Sequence, residues 1–299
     1  KVRAFVHYNS RNDWGNLELL PDYILKEVEI VAGDIQDPFM VRKAVHGCDI
    51  VFHLAALISI PYSYIAPESY VRVNVIGTVN VMQACLDEGV EKVIHTSTSE
   101  VYGTALYVPI DEKHPLQAQS PYSASKISAD KVAESFYRSF SLPVAIIRPF
   151  NTFGPRQSAR AIIPSIIVQA LLGDVVRIGS LEPIRDFTFV KDTVQGFIKI
   201  ATCDQSVGET INIGSGRGIS IKDLSELIIQ TVGKKISIQY DKNRVRPERS
   251  EVMELVCDNS KAKRILGWRP VYTLEDGLKE TIRFIKAHMN LYKAEMYNI

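Results

Sequence analysis

Short apolar runs and longer segments of helical period alternate through the first half of the chain. Residues 2–6, 29–32, 50–54, 93–96 and 144–148 are apolar stretches of strand length, with room for helices between them. That is the βαβ rhythm of a parallel sheet. Between the third and fourth runs, Pro67 opens a segment in which Val71, Val75, Val79 and Met82 recur at helical spacing. One apolar helix face is predicted there, entered through a proline where a helix tolerates one. Ser120-Pro121 predicts a second helix, with serine as cap and proline in the first turn, running to about Arg138.

Beyond Pro149 the alternation weakens. The glycine and proline content of residues 151–190 predicts a loop-rich region over the carboxyl edge of the sheet, where open α/β sheets gather their ligands. Residues 241–254 form the most loop-like polar stretch of the carboxyl half, and the chain shows no internal repeat. The expected fold class is α/β, a doubly wound parallel sheet with a smaller carboxyl-terminal lobe. A dinucleotide fold normally opens on a strand and a glycine-rich turn that lets a pyrophosphate approach a helix amino terminus. Nothing of that kind precedes residues 2–6, which read as the second strand, so the amino-terminal strand and glycine-rich turn are expected to be missing. The segment from Asn212 through Gly214 and Gly216 to Gly218 follows a strand-like run but lacks the full G-x-G-x-x-G spacing. It reads as an ordinary glycine turn.

Composition narrows the partners. Lys and Arg total 35 against 34 Asp and Glu, a net charge of +1, which supplies no broad field for steering nucleic acid or an anionic membrane. Neither is expected as a partner, and an anionic ligand must be held by local basic residues. Cys48, Cys85, Cys203 and Cys257 are widely spaced, with no metal or redox pattern, and read as core residues of a reducing compartment. No apolar run reaches the roughly 18 residues of a membrane span, and residues 1–20 lack a signal-peptide layout. The expected location is the cytoplasm, and no metal site is expected.

The candidate chemistry lies on the second helix. Tyr122 and Lys126 are four apart, so they share a helix face and can meet one substrate atom. Upstream, Thr96-Ser97-Thr98-Ser99-Glu100-Val101-Tyr102-Gly103 ends a buried strand in hydroxyls. This T-S-E-V-Y-G followed by Y-S-A-S-K resembles the active-site pair of the extended short-chain dehydrogenases, the NAD-dependent epimerase/dehydratase family that acts on nucleotide sugars. Further pieces fall in the order of that family: Gly33-Asp34-Ile35, Phe52-His53-Leu54-Ala55-Ala56, Arg148-Pro149-Phe150-Asn151, Gly154-Pro155-Arg156-Gln157, Arg185-Asp186-Phe187 and Leu266-Gly267-Trp268-Arg269-Pro270. The resemblance covers nearly the whole chain.

It implies a Rossmann-like cofactor domain over residues 1–150 and a mainly substrate-binding lobe over 151–299, some segments of which return to the sheet. Tyr122 is then the base that takes a sugar hydroxyl proton while the carbon yields hydride to NAD. Lys126 favours the phenolate and holds the nicotinamide ribose, and Thr98 hydrogen-bonds the reacting hydroxyl. Cofactor contacts are expected from Asp34, Ile35, Leu54, Ala55, Ala56, Asn74, Thr96, Tyr122, Lys126 and Pro149. NAD is the expected cofactor, because such internal redox cycles regenerate it. NADP stays open, since no acidic residue follows residues 2–6 and Arg11 offers a partner for a 2′-phosphate.

Glu100 goes beyond simple epimerase chemistry. A carboxylate there can take the acidic proton beside a new ketone, which enables loss of water, the 4,6-dehydratase reaction. Related dehydratases carry Thr-Asp-Glu, with the aspartic acid protonating the departing hydroxide, whereas this chain offers Ser99, a poor general acid. Thr-Ser-Glu is also similar to UDP-glucuronate decarboxylases, and a UDP-sugar 4-epimerase remains a third reading. Tyr8-Asn9-Ser10, Trp14-Gly15 and the run from Arg246-Pro247-Glu248 to Val252 resemble the dehydratases that start legionaminic-acid-type pathways. The expected substrate is therefore UDP- or GDP-N-acetylglucosamine, processed through a transient 4-keto sugar. Arg156, Arg185, Arg244 and Arg246 are candidates for its diphosphate, with Asn151 adding an amide contact. The resemblance also implies a homodimer in which the helices of residues 67–88 and 121–140 pair into a four-helix bundle. A binding protein without turnover on the same fold is the non-enzyme alternative.

Overall fold

A computed structural model describes residues 1–293. Strands β1 (Val2–His7) and β2 (Val28–Gly33) flank a short helix, α1 (Asp22–Leu25), and pair in parallel, Val2 opposite Val28 through His7 opposite Gly33. Against the expectation that an opening strand and glycine turn are missing, the described residues begin on a strand, and the segment after it holds Gly15 at φ 61°. The segment between β1 and β2 carries this one glycine and no G-x-G-x-x-G spacing.

Helix α2 (Pro38–Val45) leads to β3 (Ile50–His53). Next come α3 (Ile60–Ile65), α4 (Pro67–Tyr70), a π-helical turn (Val71–Ile76) and α5 (Gly77–Asp87). The single helix predicted from Pro67 is interrupted by that π turn, a local widening that side-chain periodicity does not register. After β4 (Lys92–Thr96), α6 (Pro121–Phe140) starts under a capping box in which Ser120 and Ser123 bond each other's backbone N–H. With β5 (Val144–Pro149) and the later β9 (Thr210–Ile213), the second parallel sheet has the order β3-β4-β5-β9. Apolar residues of α2, α5 and α6 cover one face, with Val81, Met82, Cys85 and Phe136 against Val93 and Val144. Helices α8 (Val190–Thr202) and α10 (Ser260–Leu266) cover the other through Ile200, Ala262 and Leu266 against Ile147 and Ile211. Both faces are buried, as parallel sheets require.

The remaining elements build the smaller lobe: β6 (Asn151–Phe153), α7 (Ile162–Leu172), β7 (Val175–Ile178), β8 (Ile184–Phe189), β10 (Gly218–Ser220), α9 (Ile221–Val232), β11 (Ser237–Tyr240), β12 (Glu254–Leu255) and α11 (Leu274–Ala287). Strand β8 is its junction, pairing with β6, β10 and β12. Residues 151–190 are therefore not the loops predicted. Helix α7 reads IIPSIIVQALL, apolar nearly all round, and sits inside the lobe's core with Ile163, Ile166 and Ile167 almost wholly buried. Such a helix has no polar face to set a period. Among the described residues no helix is long and apolar enough to cross a membrane.

Candidate active site

The carboxyl ends of β3, β4 and β5 meet the start of α6. Past β4 the chain turns through a 3-10 segment (Ser99–Tyr102) whose cap is Thr98, its hydroxyl accepting from the Glu100 amide at 3.3 Å. Lys126, one turn below Tyr122, is buried and donates from Nζ to the Thr96 carbonyl at 2.6 Å. One hydrogen bond thus ties the end of β4 to the inward face of α6. The fold brings Thr96, Thr98, Glu100, Tyr122 and Lys126 together. Ser99 is also there, but only 2% exposed.

Tyr122 packs with Ile60 and Tyr70, its ring edge-on to Tyr70 at 6.2 Å between centroids. Burial pushes its phenol well above the ordinary range; the Thr98 side chain and the Arg160 charge favour the anion, and the Glu100 charge opposes it. Burial also pulls Lys126 down to about 8, with the Asp130 carboxylate acting to raise it.

Beneath these residues lies a buried polar network. Asp130 Oδ2 accepts from Ser97 Oγ at 2.5 Å and from Arg148 Nη2 at 2.8 Å, while Oδ1 faces His95 Nε2 at 3.1 Å. Arg148 Nη1 donates to the Tyr102 hydroxyl, which donates to Asn212 Oδ1, at 2.7 and 2.8 Å. Burial alone would raise the Asp130 carboxyl, but the His95 hydrogen bond and the charges of Arg148, His95 and Lys126 hold it well below its usual range. Burial, with Lys126 and Arg148 nearby, keeps His95 below its ordinary value despite Asp130.

A second wall comes from the smaller lobe. Arg185 on β8, 5% exposed, donates to Glu251 at 3.2 Å, and Arg246 lies 3.7 Å from the same carboxylate. Tyr64 Oη and Ser250 Oγ are 2.6 Å apart, and Ser250 Oγ also reaches the Gln119 carbonyl. Arg185 feels the charge of Glu100, and Tyr64 those of Arg246, Glu251 and Glu100, so this wall faces the catalytic turn. The other predicted residues belong to the smaller lobe. Arg156, at φ 70°, donates to the Leu19 carbonyl at 3.1 Å, and Arg244 bonds Asp241 and Ser165. Asn151 is half-buried in β6, opposite Phe187.

The cofactor candidates stand at the ends of β2, β3, β4 and β5, in the π turn and on α6. Asp34 accepts from the Gln36 amide at 2.9 Å in the turn after β2, and the Ile35 carbonyl accepts from Asn80 of α5 at 3.0 Å. Leu54 and Ala55 are exposed beyond β3, with Ala56 and Pro149 half-exposed. Asn74, inside the π turn, is itself buried. Its amide bonds the Leu57 N–H and carbonyl at 2.8 and 2.9 Å and donates to Ser125 Oγ at 2.9 Å. It shapes the loop after β3 and leaves the lining to its neighbours. Thr96 Oγ1 is buried without a hydrogen-bond partner among the described residues, beside Lys126. An orphaned hydroxyl next to a buried ammonium, facing an exposed apolar loop, fits a nicotinamide nucleotide with polar and flat parts. Residues the sequence did not single out are Arg160, Tyr64 and Asp130. Only Asp130 left a signal, standing four after Lys126 on the same helix face.

Comparison with known proteins agrees with this geometry. The family model described as GDP-mannose 4,6 dehydratase matches residues 1–281. A UDP-glucose 4-epimerase of Mycolicibacterium smegmatis is 33% identical over 86% of this chain and 83% of its own length. A dTDP-glucose 4,6-dehydratase of Streptomyces griseus is 33% identical over 87% of this chain and 78% of its own. The crystal structure of DesIV, a dTDP-glucose 4,6-dehydratase from Streptomyces venezuelae with NAD bound, superposes with a TM-score of 0.88 at 27% identity, covering 97% of this chain and 89% of that one. The fold and site define an extended short-chain dehydrogenase/reductase. Within that class the chain belongs to the GDP-mannose 4,6 dehydratase family, the NAD-dependent nucleotide-sugar dehydratases and epimerases.

Proposed function

We propose that the protein is a 4,6-dehydratase that removes water from a UDP- or GDP-linked N-acetylglucosamine through a 4-keto intermediate. The observation that carries this reading is Glu100, whose carboxylate is held by a capped turn at the same opening as Thr98 and Tyr122. Reversible oxidation needs Tyr122 and its hydroxyl partner; a further carboxylate within reach is what elimination adds.

Residues 1–150 carry the cofactor, with the exposed loop at Leu54 and Ala55, Thr96 Oγ1 and Lys126 as its holders, and residues 151–299 take mainly the sugar nucleotide. Bound NAD supplies the reversible hydride acceptor. Thr98 orients the sugar hydroxyl, and Tyr122 takes its proton. Glu100 then removes the proton on the carbon beside the ketone, the hydroxyl on the next carbon leaves as water, and the stored hydride returns to that carbon as the carbon beside the ketone regains a proton. Ser99 is a weak acid, so departure relies on Glu100 returning its proton or on solvent. Arg185 and Arg246 both stand against Glu251, and two guanidinium groups side by side offer paired donors suited to a diphosphate. Asn151 adds an amide from β6.

The protein works as a homodimer through a bundle of the helices at residues 67–88 and 121–140. Val71 and Ile76 are 50% and 47% exposed on the first of these, and Tyr137 and Phe140 are exposed on the second. Incubation with UDP- and GDP-N-acetylglucosamine and UDP-glucuronate, followed by product mass, tests the activity. Loss of water from an acetylamino sugar, abolished by Glu100→Gln, is the expected result. Loss of carbon dioxide from the glucuronate, or inversion without mass change, overturns it.

A further inference from the structure

The run from Arg249 to Met253, just before β12, is fastened to the body of the protein at every residue. The Arg249 carbonyl accepts from Gln119 Nε2 at 3.4 Å. Ser250 Oγ donates to the Gln119 carbonyl and stands 2.6 Å from Tyr64 Oη of α3. Glu251 stands against Arg185 and Arg246. Val252 is 1% exposed, packed in a cluster with Val101, Tyr102 and Phe150, and the Met253 N–H reaches Thr104 Oγ1 at 3.4 Å. Gln119 is the common anchor. Its Oε1 takes the Thr104 N–H at 2.5 Å, just past the turn that holds Glu100, and it directly precedes Ser120, the cap of the helix that carries Tyr122.

The hydrogen bonds at Ser250 have a fixed direction. A serine hydroxyl has one proton, and a carbonyl can only accept it, so Ser250 donates to Gln119 and Tyr64 donates to Ser250. Val252 already anchors the run by apolar burial, so fastening alone does not call for this polar chain. Its ends lie where binding and chemistry meet: Ser250 adjoins the carboxylate that faces both arginines proposed for the diphosphate, and Gln119 adjoins the cap from which Tyr122 is placed. Binding energy gathered at a remote part of a substrate accelerates a reaction when it is spent on orienting the reacting groups. We propose that Ser250 and Tyr64 are positioning residues, which pass nucleotide binding at Arg185 and Arg246 to the first turn of the catalytic helix and so align Tyr122. The inference rests on the proposed reading for placing the diphosphate at those arginines.

UDP tests it without turnover. Calorimetry on the NAD-loaded protein gives the affinity, and amide exchange over residues 119–126 gives the response of the helix start. In the wild type, UDP should slow that exchange. Ser250→Ala should bind UDP within about twofold of the wild type and lose the slowing. Tyr64→Phe should lose part of it, and the double variant should lose no more than Ser250→Ala, because the two hydroxyls act in series. Ser250→Thr, which keeps the hydroxyl, should restore it. With any sugar nucleotide that is turned over, Ser250→Ala should lower kcat roughly tenfold at nearly constant KM, the scale of one lost hydrogen bond. Slowing that is absent from the wild type, or that persists in Ser250→Ala, overturns the proposal, as does a UDP affinity that falls in step with the slowing. A wild type that does not bind UDP overturns the diphosphate site as well. Product mass decides the dehydratase reading separately: release of carbon dioxide, or inversion, refutes that reading and leaves the coupling standing.

Discussion

At the scale of single residues, the chemistry turns on how burial sets charge. Lys126 sits at about 8, below its ordinary 10.5, because burial disfavours the ammonium more than Asp130 favours it. The groups around it are Asp130 on its own helix, with His95 on β4, His53 on β3 and Arg148 on β5 near that carboxylate or the lysine. If the ammonium is the working form, turnover should fall as pH rises through about 8, read as the alkaline limb of a kcat profile. The stability effect has the opposite direction. Between about 8 and 10.5 the unfolded chain holds the lysine proton and the folded one does not, so this group adds stability as pH rises across that window. Denaturation midpoints across the same pH range should show that contribution while activity declines. Tyr122, Lys126 and Glu100 stood out in the sequence because each lies in a short motif, within a helix turn or at a strand end. Arg160 and Tyr64 were not, since each reaches the site from a distant loop or helix and nothing in its own spacing marks it.

At the scale of elements, Asp130 joins α6 to β4 through His95 and Ser97, and to β5 through Arg148. Breaking a buried pair leaves an uncompensated charge, so Asp130→Ala should lower unfolding free energy by about 3–5 kcal/mol, measured by denaturant titration. The five strands of the first half and the cap of α6 were readable because each has a period or a capping signal of its own. Helix α7 was not, because an apolar helix packed into a core presents no polar face, and Pro164 in its first turn and Gly173 at its end imitate a loop. The π turn at residues 71–76 escaped for a different reason. The spacing of Val71, Val75, Val79 and Met82 fits an ordinary helix, and the widening that seats Asn74 against Leu57 exists only in three dimensions.

At the scale of the whole molecule, the apolar side chains left exposed on the helices of residues 67–88 and 121–140 set the expectation for assembly. Light scattering should give the mass of a dimer, and Ile76→Glu should shift it towards the monomer by placing a charge in the bundle. A wild-type monomer at working concentration would refute the pairing. The two lobes differ in how they were read. The first half follows a repeating strand and helix rhythm, whereas the smaller lobe is assembled around β8 from pieces far apart in sequence, and only the structure shows that Arg185 and Glu251 meet there.

The segment between β11 and β12 has a further consequence. From residue 241 to 253 it contains only two short 3-10 turns, and it is fastened to the body of the protein mostly by side chains: Ser250 to Tyr64 and Gln119, Glu251 to Arg185, Arg244 to Ser165. A stretch held in this way opens locally at little cost, so its amides should exchange with solvent deuterium well before those of the sheet. A diphosphate gripped by Arg185 and Arg246 would add its own binding free energy to that closure. Amide exchange over residues 241–253, followed with and without UDP, therefore gives a label-free gauge of site occupancy that needs no catalysis: protection on adding the nucleotide is the expected outcome, and unchanged exchange would separate this segment from the binding site.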